Sequence, residues 1–447
     1  MDFLDNLVLP QSSEHIMLLH YMLILIMFLF IPFVSIVFGG TAISLFYKRK
    51  GTKPGNELHL RFARDVIETL TLTKGIGVVL GIVPVLAALL IYAQLLHTTK
   101  APTTIFIFIS LLLISVGMIL IYVFRYSQSF REIFETVKEL KYGDDEVNHK
   151  ISQYREGNYS LGMKSGRWGF IFLFLAVWAF VTGTTSATFS DVWGNQSLIS
   201  LPFSWQVLSR LIFFVVAAFA LTGASIIFGF FYWEGGKKIK EDKYKEFVKK
   251  NALTIAFGGA IVLPIFLTIN IFALPAVALS KAVFAYGLGV LLLTFFVYHL
   301  LYSITKLKSF NYYGGALFFV MMLVVFSFIV HDQLAMANAT EKQSLVLSTK
   351  YEEYLTQLKG ETATVAEVSG EEVFQRVCSA CHRFDIKLVG PPYNKTLAKY
   401  EGKLTQLVAY IRNPVKVDPA YPPMPNPGLK PNEAKAVAEY IMNTYKK

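Results

Sequence analysis

The sequence is poor in charge and nearly devoid of cysteine. Acidic and basic residues together fill only 16% of its 447 positions, and Cys378 and Cys381 are its only two cysteines. So little charge excludes an ordinary soluble protein of this length, in which about a quarter of residues are charged. Two thiols exclude a disulfide framework. Acidic residues are almost missing from the interiors of the long apolar runs, so no chain of intramembrane carboxylates marks a proton pump. The first fifteen residues, MDFLDNLVLPQSSEH, carry no Lys or Arg. They lack the basic start of a cleavable signal, and the first apolar run is expected to be retained. No internal repeat is evident.

What is abundant is apolar surface. Mean hydropathy is +0.48, and 38 residues are phenylalanine. Eight runs, near 16–46, 74–97, 102–125, 168–190, 206–232, 250–275, 281–304 and 311–335, are long enough to cross a bilayer, which takes about 20 apolar residues. The net charge of +11 does not indicate nucleic acid, because the basic residues gather in alternate loops. Lys48, Arg49, Lys50, Lys53, Arg61 and Arg64 follow the first run, and Arg125, Arg131, Lys138, Lys141, Lys150, Arg155, Lys164 and Arg167 follow the third. EGGKKIKEDKYKEFVKK follows the fifth, and Lys306 and Lys308 the seventh, whereas the other loops carry chiefly Lys100 and Lys281. The positive-inside rule predicts that the basic loops are cytoplasmic and that both termini are on the outer side. Trp168, Trp193, Trp205 and Trp233 fall at predicted helix ends, as an aromatic belt requires. The mixed-charge loop 126–166 reads as a solvated surface helix or a docking surface for another subunit.

The character changes after residue 335. ANATEKQSLVLSTKYEEYLTQLKG is polar and helix-compatible, ETATVAEVSG reads as a loose linker, and the remainder has soluble composition. The expected organisation is a transmembrane domain over 1–335, a tether over 336–368 and a small outer domain over 369–447.

Within that outer domain Cys378-Ser379-Ala380-Cys381-His382 matches C-x-x-C-H, the attachment signature of c-type haem. Two thiols on one helical turn face one porphyrin edge and add to its vinyl groups, and His382 then reaches the iron. The other ring nitrogen needs a fixed partner, and Gly390–Pro392 follow at a suitable distance to offer a carbonyl. A thioredoxin-type motif gives no reason for His382, a zinc site needs two further ligands, and a disulfide across two residues is strained. GEEVFQRVCSACH, VGPPYNKTL, KLTQLVAYIRNP and YPPMPNPGLKPNEAKAVAEYIMNTYKK occur in that order, and together they resemble a class I cytochrome c domain. The resemblance implies Met424, in PPMPNPG, as second axial ligand, Met442 as a core residue, and a crossing of first and last helices at Phe374 and Tyr440. Such a domain carries one covalent haem c and transfers single electrons. Haem attachment on the outer side of bacterial membranes agrees with the orientation drawn from the lysines.

In the membrane part, His20, His97 and His331 lie near the outer helix ends and His299 toward the cytoplasmic end. Ionisable groups within membranes are functional by default, so His20 and His331 form the candidate pair for a haem b, with His97 a further candidate. No helix carries two histidines four turns apart and no adjacent His-His pair exists, which excludes a two-haem cytochrome b and a haem–copper oxidase. MFLFIPFVSIVFGG (27–40) and KGIGVVLGIVPV (74–85) resemble the first two helices of subunit I of cytochrome bd-type quinol oxidases. Met27 stands where that family has a histidine ligand, which speaks against oxygen reduction. Arg210 is a candidate for a quinone site, weighed against snorkelling to the interface.

The sequence therefore predicts an all-α chain: a polytopic bundle of about eight transmembrane helices followed by a class I cytochrome c domain. It is expected in a bacterial inner membrane, as a c-type cytochrome subunit of a respiratory or photosynthetic complex. Its partners would be other membrane subunits and a redox partner at the periplasmic face, with electrons arriving from quinol through a haem b. The alternative is a membrane anchor and assembly platform for a tethered cytochrome.

Overall fold

The computed structural model describes residues 11–53, 55–97, 99–139, 145–190, 193, 197–233, 239, 241–306, 310–358 and 369–445. Residues 359–368, which hold most of the expected linker, lie outside the described residues, as do the EGGKK segment at 234–238, Lys141 and Lys308. No strand occurs among the described residues. The chain divides into two compact units, one of 19–340 and one of 341–447 with the first residues up to Leu18.

The larger unit holds helices α1 (Ser13–Lys50), α2 (Glu57–Leu70), α3 (Lys74–Leu96), α4 (Thr103–Glu139), α5 (Asp145–Thr188), α6 (Trp205–Phe231), α7 (Asp242–Ala260), α8 (Leu263–Ala273), α9 (Lys281–Lys306) and α10 (Phe310–Ala339). Among the described residues eight segments are long and apolar enough to cross a membrane, α7 and α8 together making one of them. The chain thus reads as a multi-pass membrane protein, in agreement with the eight expected runs.

Two features of the basic loops differ from expectation. α4 has 37 residues and α5 has 44, or about 55 and 66 Å at the helical rise, against a hydrocarbon core of about 30 Å. The described charged residues of 126–139 and 145–166 therefore belong to overrunning ends of α4 and α5 rather than to a separate surface helix. Ser127 donates to the Asn158 carbonyl at 2.8 Å, and Asn158 Nδ2 returns a bond to the Ser127 carbonyl at 3.0 Å, which locks the two overhangs. The second feature is α2, an amphipathic helix inside what read as a basic loop. Its Asp65 is buried, lies 3.3 Å from Arg64 Nε and 3.9 Å from Arg61 Nε, and accepts a bond from the Tyr244 hydroxyl on α7 at 2.8 Å.

Small residues set the helix spacing inside the bilayer. A Cβ on Gly223 would meet Ala256 N at 2.3 Å, and one on Gly259 would meet Ala220 N at 2.4 Å. α6 and α7 thus touch backbone to backbone in the reciprocal manner that small residues permit. α3 contains a widened π turn at Val78–Ile82 just before Pro84, where proline cannot donate the regular helical bond.

The smaller unit contains α11 (Glu341–Leu358), α12 (Gly370–Val373) with a π turn Phe374–Cys378, α13 (Tyr393–Thr396), α14 (Leu404–Arg412) and α15 (Pro431–Tyr445). α11 is the polar helix-compatible stretch. Its Glu352 takes both arms of Arg412 on α14, one at 3.0 Å and a second shorter one. The core joins Val373, Phe374, Leu397, Leu407, Ile411 and Val437. α12 crosses α15 closely, because a Cβ on Gly370 would meet the Ala436 carbonyl oxygen at 2.2 Å. Phe374 and Tyr440 meet beside this crossing with ring centroids 5.6 Å apart.

Candidate functional site

Ser369 opens α12 by accepting the Glu372 amide at 3.4 Å, as an N-cap serine does. The helix widens over Phe374–Cys378 and then breaks, and the Cys378 carbonyl receives both the Cys381 amide at 3.2 Å and the His382 amide at 2.9 Å. One turn thereby presents Cys378, Cys381 and His382 in succession. The chain returns along itself: Gly390 N bonds to Cys381 O at 2.9 Å, Tyr393 N to Arg383 O at 3.1 Å and Asn394 N to Phe384 O at 3.1 Å.

This return fixes the imidazole. His382 Nδ1 lies 3.2 Å from the Pro391 carbonyl. A carbonyl only accepts, so Nδ1 carries the proton and Nε2 keeps its lone pair. The ring stacks on Tyr393 with centroids 5.0 Å apart and planes at 6°. Gly390 sits against its edge, where a Cβ would meet His382 Cε1 at 2.3 Å and Nδ1 at 2.7 Å. Burial lowers the His382 pKa below its ordinary value, and the Pro391 bond only partly opposes this. The ring is therefore neutral at pH 7, as an iron ligand must be.

Both cysteines are free thiols, Cys378 buried and Cys381 half-buried. Burial, then the neighbouring Cys381, pushes the Cys378 thiol up to about 11. Met424 is half-buried in an extended, proline-rich stretch between α14 and α15, which Gly428 closes at φ +64°. Met442 is buried on α15 in the domain core, as expected. Two unbridged thiols one turn apart, an imidazole with a free Nε2 and a thioether outside any helix are a donor set that fits a covalently attached haem. Tyr393 and Gly370 support the site without being singled out beforehand, and Gly390, expected only as part of the carbonyl-bearing Gly390–Pro392 turn, also packs against the imidazole. Gly390 and Tyr393 lie within the quoted VGPPYNKTL, but their contact with His382 needed the fold.

The membrane histidines are less tightly assembled. His20 on α1 and His97 at the end of α3 are half-buried, and His97 Nδ1 faces the Gln94 carbonyl at 3.1 Å. His331 on α10 is buried, with Nδ1 2.8 Å from the Val283 carbonyl and its ring 5.9 Å from Phe328. His299 is exposed on the surface of α9. Phe28 and Phe326 touch at 4.6 Å, so α1 and α10 are neighbours. No hydrogen bond joins the histidines to one another, and no cluster of three or more His, Cys, Asp or Glu occurs among the described residues.

Arg210 does not snorkel. Its Nη2 lies 2.9 Å from Asp332 Oδ1 on α10, with side chains only 10% and 19% exposed. A guanidinium facing hydrocarbon needs a counter-charge, and Asp332 supplies it. Asp332 was overlooked because it follows His331 near a helix end. An arginine and an aspartate in separate apolar runs were the available signal.

The cytochrome c family profile matches residues 368–444. The same region is 42% identical over 79 residues to cytochrome c-551 of Pseudomonas denitrificans, covering 17% of this chain and 95% of that protein. It is 39% identical over 79 residues to cytochrome c-551 of Ectopseudomonas mendocina and 35% over 78 residues to that of Azotobacter vinelandii, with the same shares of each chain. No solved structure gives a significant match. Family membership implies a covalent haem c and electron transfer, so by its C-terminal domain this membrane-spanning chain belongs to the cytochrome c family.

Proposed function

We propose that the protein is a membrane-bound c-type cytochrome working at the periplasmic face of a bacterial inner membrane, as one subunit of a respiratory or photosynthetic electron-transfer complex. Cys378 and Cys381 would hold the haem by thioethers, and His382 and Met424 would ligate its iron. The observation that carries this reading is the 3.2 Å contact between His382 Nδ1 and the Pro391 carbonyl, which leaves the Nε2 lone pair available to a ligand. Bound haem c supplies one-electron redox chemistry. The protein's own residues orient the imidazole through Pro391, Tyr393 and Gly390 and keep it neutral. The eight spans and the alternate basic loops support both termini lying outside. The basic residues of α2, the α4–α5 overhangs and α7 would then face the cytoplasm. Haem staining of a denaturing gel tests the attachment, expected at the full-length mass in wild type and absent in Cys378→Ala/Cys381→Ala. Protease added to intact spheroplasts should cut 359–368 and spare 234–250; the reverse pattern would overturn the orientation.

A second reading makes the membrane unit the electron source, taking electrons from quinol through a haem b between His20 and His331. The 4.6 Å contact of Phe28 with Phe326 favours it, since such a pair needs α1 beside α10. A redox difference spectrum with pyridine haemochrome analysis decides. Haem b with haem c supports this reading, and haem c alone leaves an anchor and assembly platform carrying a tethered cytochrome.

A further inference from the structure

On the membrane face where the basic loops lie, α1, α6 and α7 border an open groove of about 640 Å³. α1 supplies one wall with Ala42, Ile43, Phe46, Tyr47 and Lys50, which share a helix face by their spacing. From Ala42 to Lys50 this wall rises about 12 Å, close to half of a hydrocarbon core of about 30 Å. The groove therefore runs through one leaflet, from its polar surface toward the midplane. Its floor is open on the α7 side, where a Cβ on the exposed Gly258 would meet nothing within 4 Å.

Polarity is graded along this length. The deep end is formed by Ala42, Phe219 and Gly258, and the shallow end carries Asn251, Thr254 and Lys50. The neutral polar groups are satisfied within the protein. The Tyr47 hydroxyl donates to Asn251 Oδ1 at 2.5 Å, Asn251 Nδ2 to the Phe247 carbonyl at 2.7 Å, and the Thr254 hydroxyl to the Lys250 carbonyl at 2.8 Å. Lys50 is the exception. Its ammonium stands 4.5 Å from the Phe46 ring centroid and 5.9 Å from that of Tyr47, and no acidic side chain lines the groove. The exposed Arg49 and Lys53 adjoin it in the chain and add to the positive field.

A cation at the mouth of an apolar slot one leaflet deep selects an occupant with an apolar chain and an anion at one end. A quinone or an apolar partner helix brings no charge to Lys50. Phosphatidylethanolamine brings a phosphate, but also an ammonium for which the groove holds no carboxylate. A phospholipid of net negative charge, such as phosphatidylglycerol, suits both ends, and basic pockets between helices near the membrane surface bind such headgroups. We propose that this groove binds one anionic phospholipid, with its phosphate at Lys50 and an acyl chain lying along α1 between α6 and α7. The site goes beyond the electron-transfer reading and does not depend on it.

The test uses the full-length protein in phosphatidylcholine liposomes doped with phosphatidylglycerol that carries a photoreactive acyl chain. Mapping by mass spectrometry should place the label on peptides of α1 and α7 around Phe46 and Gly258. Unlabelled phosphatidylglycerol should displace it roughly fivefold better than phosphatidylethanolamine, as one lysine near the surface allows. Lys50→Gln removes the charge and should erase that preference. Gly258→Trp enters the open space and should abolish labelling of these peptides, and thermal denaturation of both variants reports that the membrane unit stays folded. If either variant fails to fold, the wild-type displacement ratio decides alone. Label spread evenly over the helices, equal displacement by the two lipids, or a preference that survives Lys50→Gln would each overturn the proposal. Displacement by decyl-benzoquinone in place of phosphatidylglycerol would overturn it in favour of a quinone. In native membranes, p-benzoylphenylalanine in place of Gly258 should cross-link to lipid; a cross-link to another polypeptide would assign the groove to a partner subunit instead.

Discussion

Replacing Gly390 with alanine tests whether the haem site is built by the return of residues 390–394 along 381–384. The backbone at Gly390 has no positive φ, so alanine is sterically permitted there by the main chain. It even gains about 0.4–1 kcal/mol from a stiffer unfolded chain. The objection to alanine is space. Its Cβ would lie 2.3, 2.7 and 2.8 Å from Cε1, Nδ1 and Nε2 of His382. Ordinary contact needs about 3.5 Å, so the ring must retreat by about 1 Å. The Nδ1–Pro391 bond is already 3.2 Å long, and such a displacement takes it beyond hydrogen-bonding range. Overpacking of about 1–3 kcal/mol and a lost hydrogen bond of about 1 kcal/mol outweigh the entropic gain. The net loss is about 1–3 kcal/mol. With a urea slope of about 1 kcal/mol/M for so small a domain, the midpoint should fall by about 1–3 M. The assay is urea titration of the full-length holoprotein, followed by the absorption of the axially ligated haem. Gly402→Ala is the control. Its φ is +69° and nothing lies within 4 Å of the new Cβ, so it should cost stability through the backbone and leave the folded-state spectrum unchanged. Wild-type midpoint and spectrum in Gly390→Ala would refute the reasoning.

Other consequences are open to measurement. Met424→His should lower the reduction potential, because imidazole favours ferric iron more than a thioether does; an unchanged potential would assign the sixth ligand elsewhere. A double-mutant cycle on Glu352→Ala and Arg412→Ala should give a coupling of about 0.5–1 kcal/mol for this bidentate, partly exposed pair, together with faster amide exchange in α11. Zero coupling would mean that the pair does not hold α11 in place. The Lys430 amide and then Arg376 hold the Glu433 carboxyl below its usual range. Its stabilisation is complete above the unfolded pKa and is lost as pH falls through the lower folded value. Glu433→Gln should therefore destabilise the protein at pH 7 and flatten the acid limb of its stability profile, and parallel profiles would contradict this. Arg210→Met should destabilise the membrane unit strongly by leaving Asp332 buried and unpaired. Arg210→Met/Asp332→Leu should recover most of the loss in thermal denaturation, since apolar isosteres often replace buried ion pairs without cost.

Sequence patterns of short range were readable, and contacts between distant segments were not. The eight spans follow from length and hydropathy, and the C-x-x-C-H turn is local enough that three residues declare it. The Pro391 carbonyl was within reach of the reading because it lies nine residues from His382. The role of Gly390 was not, since a glycine in a loop looks alike whether it faces solvent or an imidazole. α2 was hidden by its own Arg61 and Arg64 and by the lysines that precede it. The 3.6-residue period that buries Phe62, Val66 and Leu70 runs beneath a charge pattern sufficient to read as a loop. The overhangs of α4 and α5 were read as a separate helix because hydropathy reports where lipid ends and is silent on where helix ends.

The Arg210–Asp332 pair shows what such a reading needs beyond pattern. Taken singly, an arginine five residues into an apolar helix reaches the interface by snorkelling at little cost, and that is the correct inference from one residue. An aspartate two turns inside another helix has no such stem. It must be paired, protonated or solvated, so the short acid was the informative partner and the long base the ambiguous one. Pairing them explains why each is tolerated and leaves their presence unexplained, because two apolar side chains would serve the bundle at least as well. What the pair does fix is that neither residue can change alone, since losing either partner leaves the other charge buried without compensation.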